Sequence, residues 1–388
     1  MRGEKKVNIY LDHAASTPVH PEVATAMFEV MTGQFGNASS VHAFGRAAKR
    51  SVSEARDKMA AYLGSSPDEL VFTSGGTESD NLAIFGIAAA AQHKGKHIIT
   101  SQIEHHAVLH ALASLEKQGY EVTYLPVDSY GMIDTADVEA AIRPDTILIS
   151  IMYVNNEVGT VQNIEEIGRI AKAHDIPFHV DAVQALGSIP IHLHQLPVDL
   201  MSFSAHKING PQGIGLLYVR KGMKLEPMNH GGLQERKRRA GTENMAGIVG
   251  FAKALELLEK TMEERMLQDA ALRQFFIEEL QKEAGENAVV VNGHPQQTVS
   301  HIVNVSFPEV KTETMLMNLD VEGIAAASGS ACTSGSLERS HVLEAMNLPK
   351  EIMDSAIRFS FGLGNSKKDL EYTAKKVGTI LKRLRSRA

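Results

Sequence analysis

The chain has 388 residues, of which 43% are hydrophobic and 22% charged, with a formal net charge of -7. These values are typical of a globular protein, and the length allows two or three domains with a large core. The acidic balance argues against a general nucleic-acid binder, which needs a basic surface to neutralise phosphates. The chain has no tryptophan and only 5% aromatic residues, so it lacks a stacking platform for single strands.

The start of the chain and its cysteine content indicate the cellular compartment. Residues 1–7 lack an apolar signal region and lead into a strand-like stretch at 8–11. The longest apolar stretch, around residues 84–91, is too short to span a bilayer. Cys332 is the only cysteine, which excludes an intramolecular disulfide and any multi-cysteine metal site. We therefore expect a cytoplasmic protein without membrane association.

Short apolar runs alternate with helical segments from about residue 55 to residue 218. The strand candidates are 69–72, 97–100, 121–125, 146–151, 177–180 and 200–203. Continuous apolar strands interleaved with helices predict an α/β fold, in which a mostly parallel sheet is covered on both faces. Residues 213–219 fit one further strand, which we expect to be antiparallel and inserted into the sheet.

A long amphipathic helix is predicted from about residue 244 to residue 283. Its apolar positions recur at spacings of three and four, at Ile248, Phe251, Leu255, Leu258, Met262 and Met266. A stripe of this kind is typical of a helix that packs on a core, and we interpret it so. The helix is expected to link a large domain to a smaller one.

The rest of the chain predicts a second, smaller unit. Strands are expected near 301–307 and 357–361, followed by a terminal helix. We predict a large α/β domain at 16–255. Residues 1–15 together with 256–388 are predicted to form a small α+β domain, which carries the segment around Cys332.

Three polar clusters follow strand candidates, at the edge where open α/β sheets collect ligands. The first, at 73–81, opens a helix with paired glycines and Thr77. Backbone N–H groups at such a helix start suit an anion, although a turn with a helix cap gives the same pattern. The spacing is neither that of a Walker loop nor that of a dinucleotide fingerprint.

The other two clusters contribute a carboxylate and an amine. Asp181 closes an apolar strand, where a buried carboxylate is costly unless it meets a cation. Lys207 follows the next strand, among hydroxyl groups, a histidine and a Gly-Pro turn. A phosphate cradle, an aspartate able to keep a ring nitrogen protonated and a lysine able to form a Schiff base are the requirements of pyridoxal 5'-phosphate. Their occurrence on strand ends predicts this cofactor.

The chain resembles the cysteine desulfurases of the class V aminotransferase group, which are pyridoxal phosphate enzymes of fold type I. The matching motifs lie at 10–15, 35–37, 73–81, 104–108, 155–159, 181 with 184, 204–213, 239–244, 328–336 and 357–360. Three small departures from the family pattern, at Ala38, Ala205 and Ala327, remove no functional group. The resemblance implies a seven-stranded sheet in the large domain.

The resemblance also implies a role for each residue around the cofactor. Lys207 holds the cofactor covalently and then moves the substrate α-proton, Asp181 pairs with the ring nitrogen, and Gln184 contacts the ring hydroxyl oxygen. His105 lies over the ring and assists proton transfer. The phosphate is held by Gly76, Thr77, Ser204 and His206. Thr242 reaches the phosphate of the neighbouring subunit, which implies a homodimer with shared active sites.

The substrate implied by the resemblance is free L-cysteine. Asn156 and Arg358 receive its carboxylate, and Asn156 also contacts the cofactor. Cys332 attacks the substrate sulfur, which leaves L-alanine and a persulfide that passes to an acceptor protein for iron–sulfur cluster assembly or for thiolation of tRNA or a cofactor. No metal site is predicted in the chain itself, because His106 and His110 share a helix face without a third ligand. The persulfide is expected to meet an iron–sulfur cluster only on a partner.

Three other functions remain compatible with the sequence. A selenocysteine lyase on the same scaffold would break the equivalent bond of a selenium substrate and would depend less on an enzyme thiol. A true aminotransferase would form a keto acid and would have no use for the Cys332 thiol. A non-catalytic scaffold for sulfur carriers would not need the lysine, the aspartate and the phosphate cradle.

Overall fold

The structure is a computed structural model that describes residues 8–329 and 339–386. Cys332 therefore lies outside the described residues. In chain order the strands are β1 Ile9–Tyr10, β2 Leu70–Thr73, β3 His97–Ser101, β4 Glu121–Leu125, β5 Thr146–Met152, β6 Phe178–Asp181, β7 Leu200–Ser204, β8 Gly215–Val219, β9 Val290–Asn292, β10 Ile302–Ser306, β11 Ile324–Ala325 and β12 Ala356–Ser360.

The helices lie between these strands and flank them. In chain order they are α1 Pro21–Gly33, α2 Ala43–Leu63, α3 Gly76–Ala91, α4 His106–Glu116, α5 Thr135–Ala141, α6 Ile164–Ala173, α7 Met245–Ala284, α8 Thr312–Val321, α9 His341–Ala345, α10 Lys350–Met353 and α11 Lys367–Arg385. Within the described residues no helix is long and apolar enough to cross a membrane.

The large sheet has seven strands in the order β2-β8-β7-β6-β5-β3-β4. All neighbouring strands are parallel except β8, which is antiparallel to both β2 and β7. The predictions of a mostly parallel sheet and of one inserted antiparallel strand are confirmed, as is the fold type I class. Because helices cover both faces, strands such as β2 and β8 are buried along their whole length and are mostly apolar on both faces.

Strand β8 illustrates how one strand supplies two cores. Leu216 and Tyr218 pack into the core that lies against α2, α6 and α7. Leu217 and Val219, which point the other way, pack into the core against α3 and α4. Side chains alternate between the faces of a strand, so a fully apolar segment fits only between two helical layers.

A second, smaller unit contains its own sheets. β12, β10 and β9 form an antiparallel sheet, while the amino-terminal strand β1 pairs in parallel with β11. Its core includes Leu11 from the start of the chain, Phe276 from α7, Phe359 from β12 and Leu370 from α11. The domain boundaries given above stay a prediction.

Helix α7 contributes to both units. Ile248, Phe251, Leu255 and Leu258 are buried in the large core, and Met262 packs at its margin. The small core begins further along the helix, at Leu272. The expectation that Met266 belongs to the stripe's core face is wrong, because this side chain is 37% exposed. It lies in the stretch of α7 that crosses from one core to the other.

Candidate active site

The carboxyl ends of the parallel strands bring most of the predicted site residues to one edge of the sheet. Gly76 and Thr77 follow β2, His105 follows β3, Asn156 follows β5, and Asp181 is the last residue of β6. Ser204 ends β7, and a single 3-10 turn at 205–207 places Lys207 directly behind it.

Lys207 and Gln184 meet at one backbone carbonyl. The Lys207 ammonium donates to the carbonyl oxygen of Ala14, and also to that of Ala15 at 2.8 Å. Gln184 Nε2 donates to the same Ala14 oxygen at 2.8 Å. Segments far apart in the chain therefore converge, and the amino-terminal motif at 10–15 forms one wall of the site.

Asp181 is a buried carboxyl group close to this point. It is 6% exposed, and its Oδ1 accepts a 2.9 Å hydrogen bond from the N–H of Val183. Burial raises its pKa to about 6, while the Val183 hydrogen bond and the Lys207 ammonium act in the opposite direction. A buried carboxylate of this kind gains most from a cation placed beside it, such as a protonated ring nitrogen.

The start of α3 forms a narrow cradle. A Cβ on Gly76 would lie 2.6 Å from Val183 Cγ2, which allows no side chain there, and 3.7 Å from Ser204 Cβ. Gly76 and Ser204 therefore face each other across a small space. The first N–H groups of a helix have no partner within it and carry its positive dipole end. With the hydroxyl groups of Thr77 and Ser204, this donor set fits a phosphate group.

Two histidines line the same region. His105 caps the start of α4, and its Nδ1 accepts from the Ala107 N–H at 3.1 Å. Burial, followed by the charge of Lys207, lowers the His105 pKa to about 4. The ring is therefore neutral at pH 7 and carries its proton on Nε2. Burial and Lys207 also lower the pKa of His206 to about 4, and its Nδ1 lies 3.3 Å from Ser16 Oγ.

Arg358 reaches the site from the small unit. Its guanidinium is 2.8 Å from Asp12 Oδ1 and donates to the Asn156 carbonyl oxygen at 2.9 Å. The residue is 4% exposed, and its Nε has no hydrogen-bond partner among the described residues. The predicted pair Arg358 and Asn156 is thus brought together. Asp12 was not singled out from the sequence, although it lies in the motif at 10–15.

A buried polar seam lies beneath Asp181 and was also missed. His179 Nδ1 is 2.9 Å from Ser150 Oγ, and its Nε2 is 3.0 Å from Ser202 Oγ and 3.6 Å from Asp80 Oδ1. Burial and the neighbouring Asp181 raise the pKa of Asp80 well above its usual value. Asp80 is therefore harder to ionise than an exposed aspartate.

Thr242 does not join the other site residues within one chain. It lies in a separate cleft of about 260 Å³, with Phe35, Gly36 and Asn37 on the opposite wall. The His106 ring stacks on that of His110, with centroids 4.9 Å apart, and is tilted against that of His341, with centroids 4.7 Å apart. Within 8–329 and 339–386, no group of three or more potential ligands is arranged to hold a metal ion.

Known proteins are similar to this chain along almost its whole length. The aminotransferase class-V family model matches residues 9–373. A cysteine desulfurase IscS from Dictyoglomus turgidum is 50% identical over 381 residues, which cover 98% of this chain and 96% of the relative. The structure of a NifS-like protein matches with a TM-score of 0.91 and 37% identity, covering 97% of this chain and all of the other.

A second solved structure, SspA in complex with cysteine, has a TM-score of 0.78 and 37% identity, covering 91% of this chain and 99% of the other. The family resemblance inferred from the sequence motifs is confirmed by these matches. Proteins of this family use pyridoxal phosphate, and the donor set at the sheet edge fits that group. The chain therefore belongs to the aminotransferase class-V family and, within it, groups with the cysteine desulfurases.

Proposed function

We propose that this protein is a pyridoxal phosphate-dependent cysteine desulfurase that converts L-cysteine to L-alanine and collects the sulfur as a persulfide on Cys332. The observation that carries the proposal is the meeting of Lys207 and Gln184 at the Ala14 carbonyl, beside the buried Asp181. The full-length similarity to cysteine desulfurases supports the same activity.

The residues at the sheet edge divide into two groups around the cofactor. Asp181, Gln184 and Lys207 hold the ring, and the phosphate is held by Gly76, Thr77, Ser204 and His206. When bound, the cofactor supplies an electron sink that stabilises negative charge on the substrate α-carbon. Asp181 must be ionised for this, because only a carboxylate keeps the ring nitrogen protonated.

Lys207 and His105 handle the protons. Once displaced by the substrate amine, Lys207 is the base that takes the α-proton and returns it later as an acid. With a pKa of about 4, the His105 ring is uncharged at pH 7, so it acts as a weak base and as a hydrogen-bond donor through its Nε2–H. The two carbonyl oxygens that bind Lys207 Nζ hold the amine at the mouth of the site.

Arg358 and Asn156 position the substrate. The Arg358 fork matches the two oxygens of a carboxylate, and its buried Nε offers a donor. Asp12 holds the guanidinium in place through its 2.8 Å contact. The α-carboxylate of L-cysteine thus sits where the small unit meets the large sheet.

The sulfur step balances without an outside oxidant. The Cys332 thiolate attacks the substrate sulfur, so the carbon–sulfur bond breaks as a sulfur–sulfur bond forms. The electron pair left on the substrate carbon takes up a proton, and L-alanine is released. The Cys332 persulfide then passes its outer sulfur to a thiol of an acceptor protein. A thiol is mostly protonated at pH 7, so neighbouring cations or histidines must favour the thiolate.

We further propose a homodimer in which Thr242 enters the partner's site. Large apolar side chains are exposed near the Thr242 cleft, among them Phe35, which is 78% exposed. The others are Phe28, Met31, Val41 and Phe44. A monomer rarely exposes so many apolar groups in one area, and a second copy of the chain would cover them.

The experiment that tests the function follows the sulfur directly. Purified protein is incubated with L-cysteine, alanine is quantified, and mass spectrometry measures the mass of the peptide that contains Cys332. One added sulfur atom per active site is expected on that peptide, and a thiol-bearing acceptor should remove it. Cys332→Ala should keep the bound cofactor and lose sulfur transfer.

Two outcomes would contradict the proposal. Undiminished alanine formation by Cys332→Ala under reductant would remove the thiol from the reaction. Faster turnover of selenocysteine than of cysteine by the wild-type protein would identify a selenocysteine lyase.

A further inference from the structure

Glu157 is a buried glutamate that contacts both ends of the undescribed segment 330–338. It is 1% exposed. On one side, the hydroxyl group of Ser340 donates to Glu157 Oε2. On the other side, the backbone of Gly329 lies so close that a Cβ added there would overlap the carboxylate. One carboxylate therefore joins the two flanks of the segment that carries Cys332.

The backbone of Glu157 is itself held firmly. Its N–H donates to Asn155 Oδ1 at 2.9 Å, and its carbonyl oxygen accepts from Asn304 Nδ2 at 3.2 Å. Asn155 is fixed in turn by a 3.1 Å bond from its Nδ2 to the Ile103 carbonyl. The carboxylate thus projects from a turn that is tied to both the large sheet and the small one.

Both flanks are also connected to the active site. Just before Gly329, Ala327 pairs with Arg358 through backbone bonds of 3.1 Å and 2.7 Å. On the far side, Ser340 caps α9 by accepting from the Leu343 N–H at 3.2 Å. The turn that carries Glu157 includes Asn156, whose carbonyl binds Arg358.

Charge alone does not explain this arrangement. Burial raises the Glu157 pKa, whereas the Ser340 hydrogen bond and the neighbouring Arg358 and His106 act against it. Arg358 has its closest carboxylate in Asp12, at 2.8 Å. What distinguishes Glu157 is the length of its side chain. It reaches from a fixed turn to both Gly329 and Ser340.

We infer that Glu157 is a positioning residue that joins the two flanks of segment 330–338 and so sets how often the Cys332 thiol reaches the substrate sulfur. The inference deepens the proposed function and rests on it. A segment closed between fixed ends samples fewer conformations than one whose ends separate. A reacting group displaced by about 1 Å can lose about 100-fold in rate, so a loosened flank should slow sulfur transfer.

Two substitutions at Glu157 separate reach from charge. Glu157→Asp keeps the carboxylate but is one methylene shorter, so it cannot span to both flanks. Glu157→Gln keeps the length and an acceptor oxygen but loses the charge. If the length of the side chain is what matters, Glu157→Asp should slow single-turnover persulfide formation about tenfold. Glu157→Gln should slow it less than threefold. Cofactor affinity and absorption should stay within about twofold of the wild type in both variants.

Ser340→Ala provides a second way to break the same contact. It should slow persulfide formation about threefold to tenfold. Ser366→Ala is the matched control, because Ser366 also caps a helix but has no contact with Glu157. The control should leave the rate of persulfide formation unchanged. Equal rates for Ser340→Ala and Ser366→Ala would overturn the inference.

Hydrogen exchange of backbone amides tests, without any turnover, whether Glu157 holds the two flanks together. In the cofactor-loaded protein, peptides spanning 326–342 should exchange faster in Glu157→Asp than in Glu157→Gln, with no change in β6 or β7. Unchanged exchange in Glu157→Asp would contradict the positioning role of Glu157. Slower persulfide formation in Glu157→Gln than in Glu157→Asp would contradict it too. If wild-type protein forms no persulfide, the proposed function fails, whereas the exchange comparison still decides whether Glu157 joins the flanks.

Discussion

The carboxyl edge of the seven-stranded sheet and the surface of the small unit that faces it are built differently. At the sheet edge, residues such as Asp181 and Ser204 end adjacent parallel strands and are held by one core. On the facing surface, Arg358 depends on Asp12, which is 346 positions away in the chain. The cofactor side is therefore fixed once the sheet has formed. The substrate side is complete only when the small unit docks.

The largest effect is expected on the cofactor side, from Lys207→Ala. Without the amine no residue can hold the cofactor covalently or move the α-proton, so alanine formation should fall by about 1000-fold or more. The covalent absorption band of the cofactor should also disappear, whereas the phosphate cradle should still bind it. A borohydride-reducible adduct in this variant would show that another amine serves the site.

Arg358→Lys should weaken substrate binding without affecting the cofactor. A lysine cannot present two parallel donors, so kcat/KM for L-cysteine should fall about 100-fold, mainly through KM. The cofactor spectrum and affinity should not change. Arg220→Lys is the matched control, because Arg220 bonds Asp199 before the start of β7. An equal loss in both variants would point to general destabilisation.

The pH dependence of cofactor binding should separate the two regions further. The pKa of Asp181 is raised to about 6, and the carboxylate is the form that holds a protonated ring nitrogen. Affinity should therefore fall by up to about tenfold per pH unit below pH 6 and level off above it. Equilibrium titration of the apoprotein measures this slope. Asp181→Asn should bind more weakly and show none of it, and a slope that persists in that variant would belong to another group.

The smallest effect is expected from Ser366→Ala in the small unit. Ser366 and Asp369 form a capping box at the start of α11, so the free energy of unfolding should fall by about 1 kcal/mol. Denaturant titration measures the change. KM for L-cysteine should stay constant, because the capping box does not touch Arg358 or Asp12. A raised KM would mean that docking of the small unit is sensitive to its overall stability.

The sheet edge was predictable because its signals are local. Apolar strands that end in polar residues mark the sheet and its ligand edge, and the long helix was placed within one residue of α7. The site residues that follow those strands needed no knowledge of distant contacts. This explains why Asp181 and Lys207 could be singled out from the sequence.

The contacts that cross the chain could not be predicted in the same way. Nothing in the sequence near Asp12 indicates Arg358, and nothing near Asp80 indicates His179. Glu157 lies in a recognised motif, yet its contact with Ser340 joins residues 183 positions apart. Met266 keeps the helical spacing of its neighbours but is exposed, because periodicity does not show where one core ends and the next begins.

Helix α7 has a consequence for how this chain can vary in length. Its 40 residues correspond to about 60 Å of continuous helix, with one end in the large core and the other in the small core. Inserting one residue between Met262 and Leu272 would turn everything beyond it by about 100° and shift it by about 1.5 Å. Arg358 would then swing away from Asn156. Insertions and deletions should therefore be tolerated in surface loops but not in the middle of helix α7.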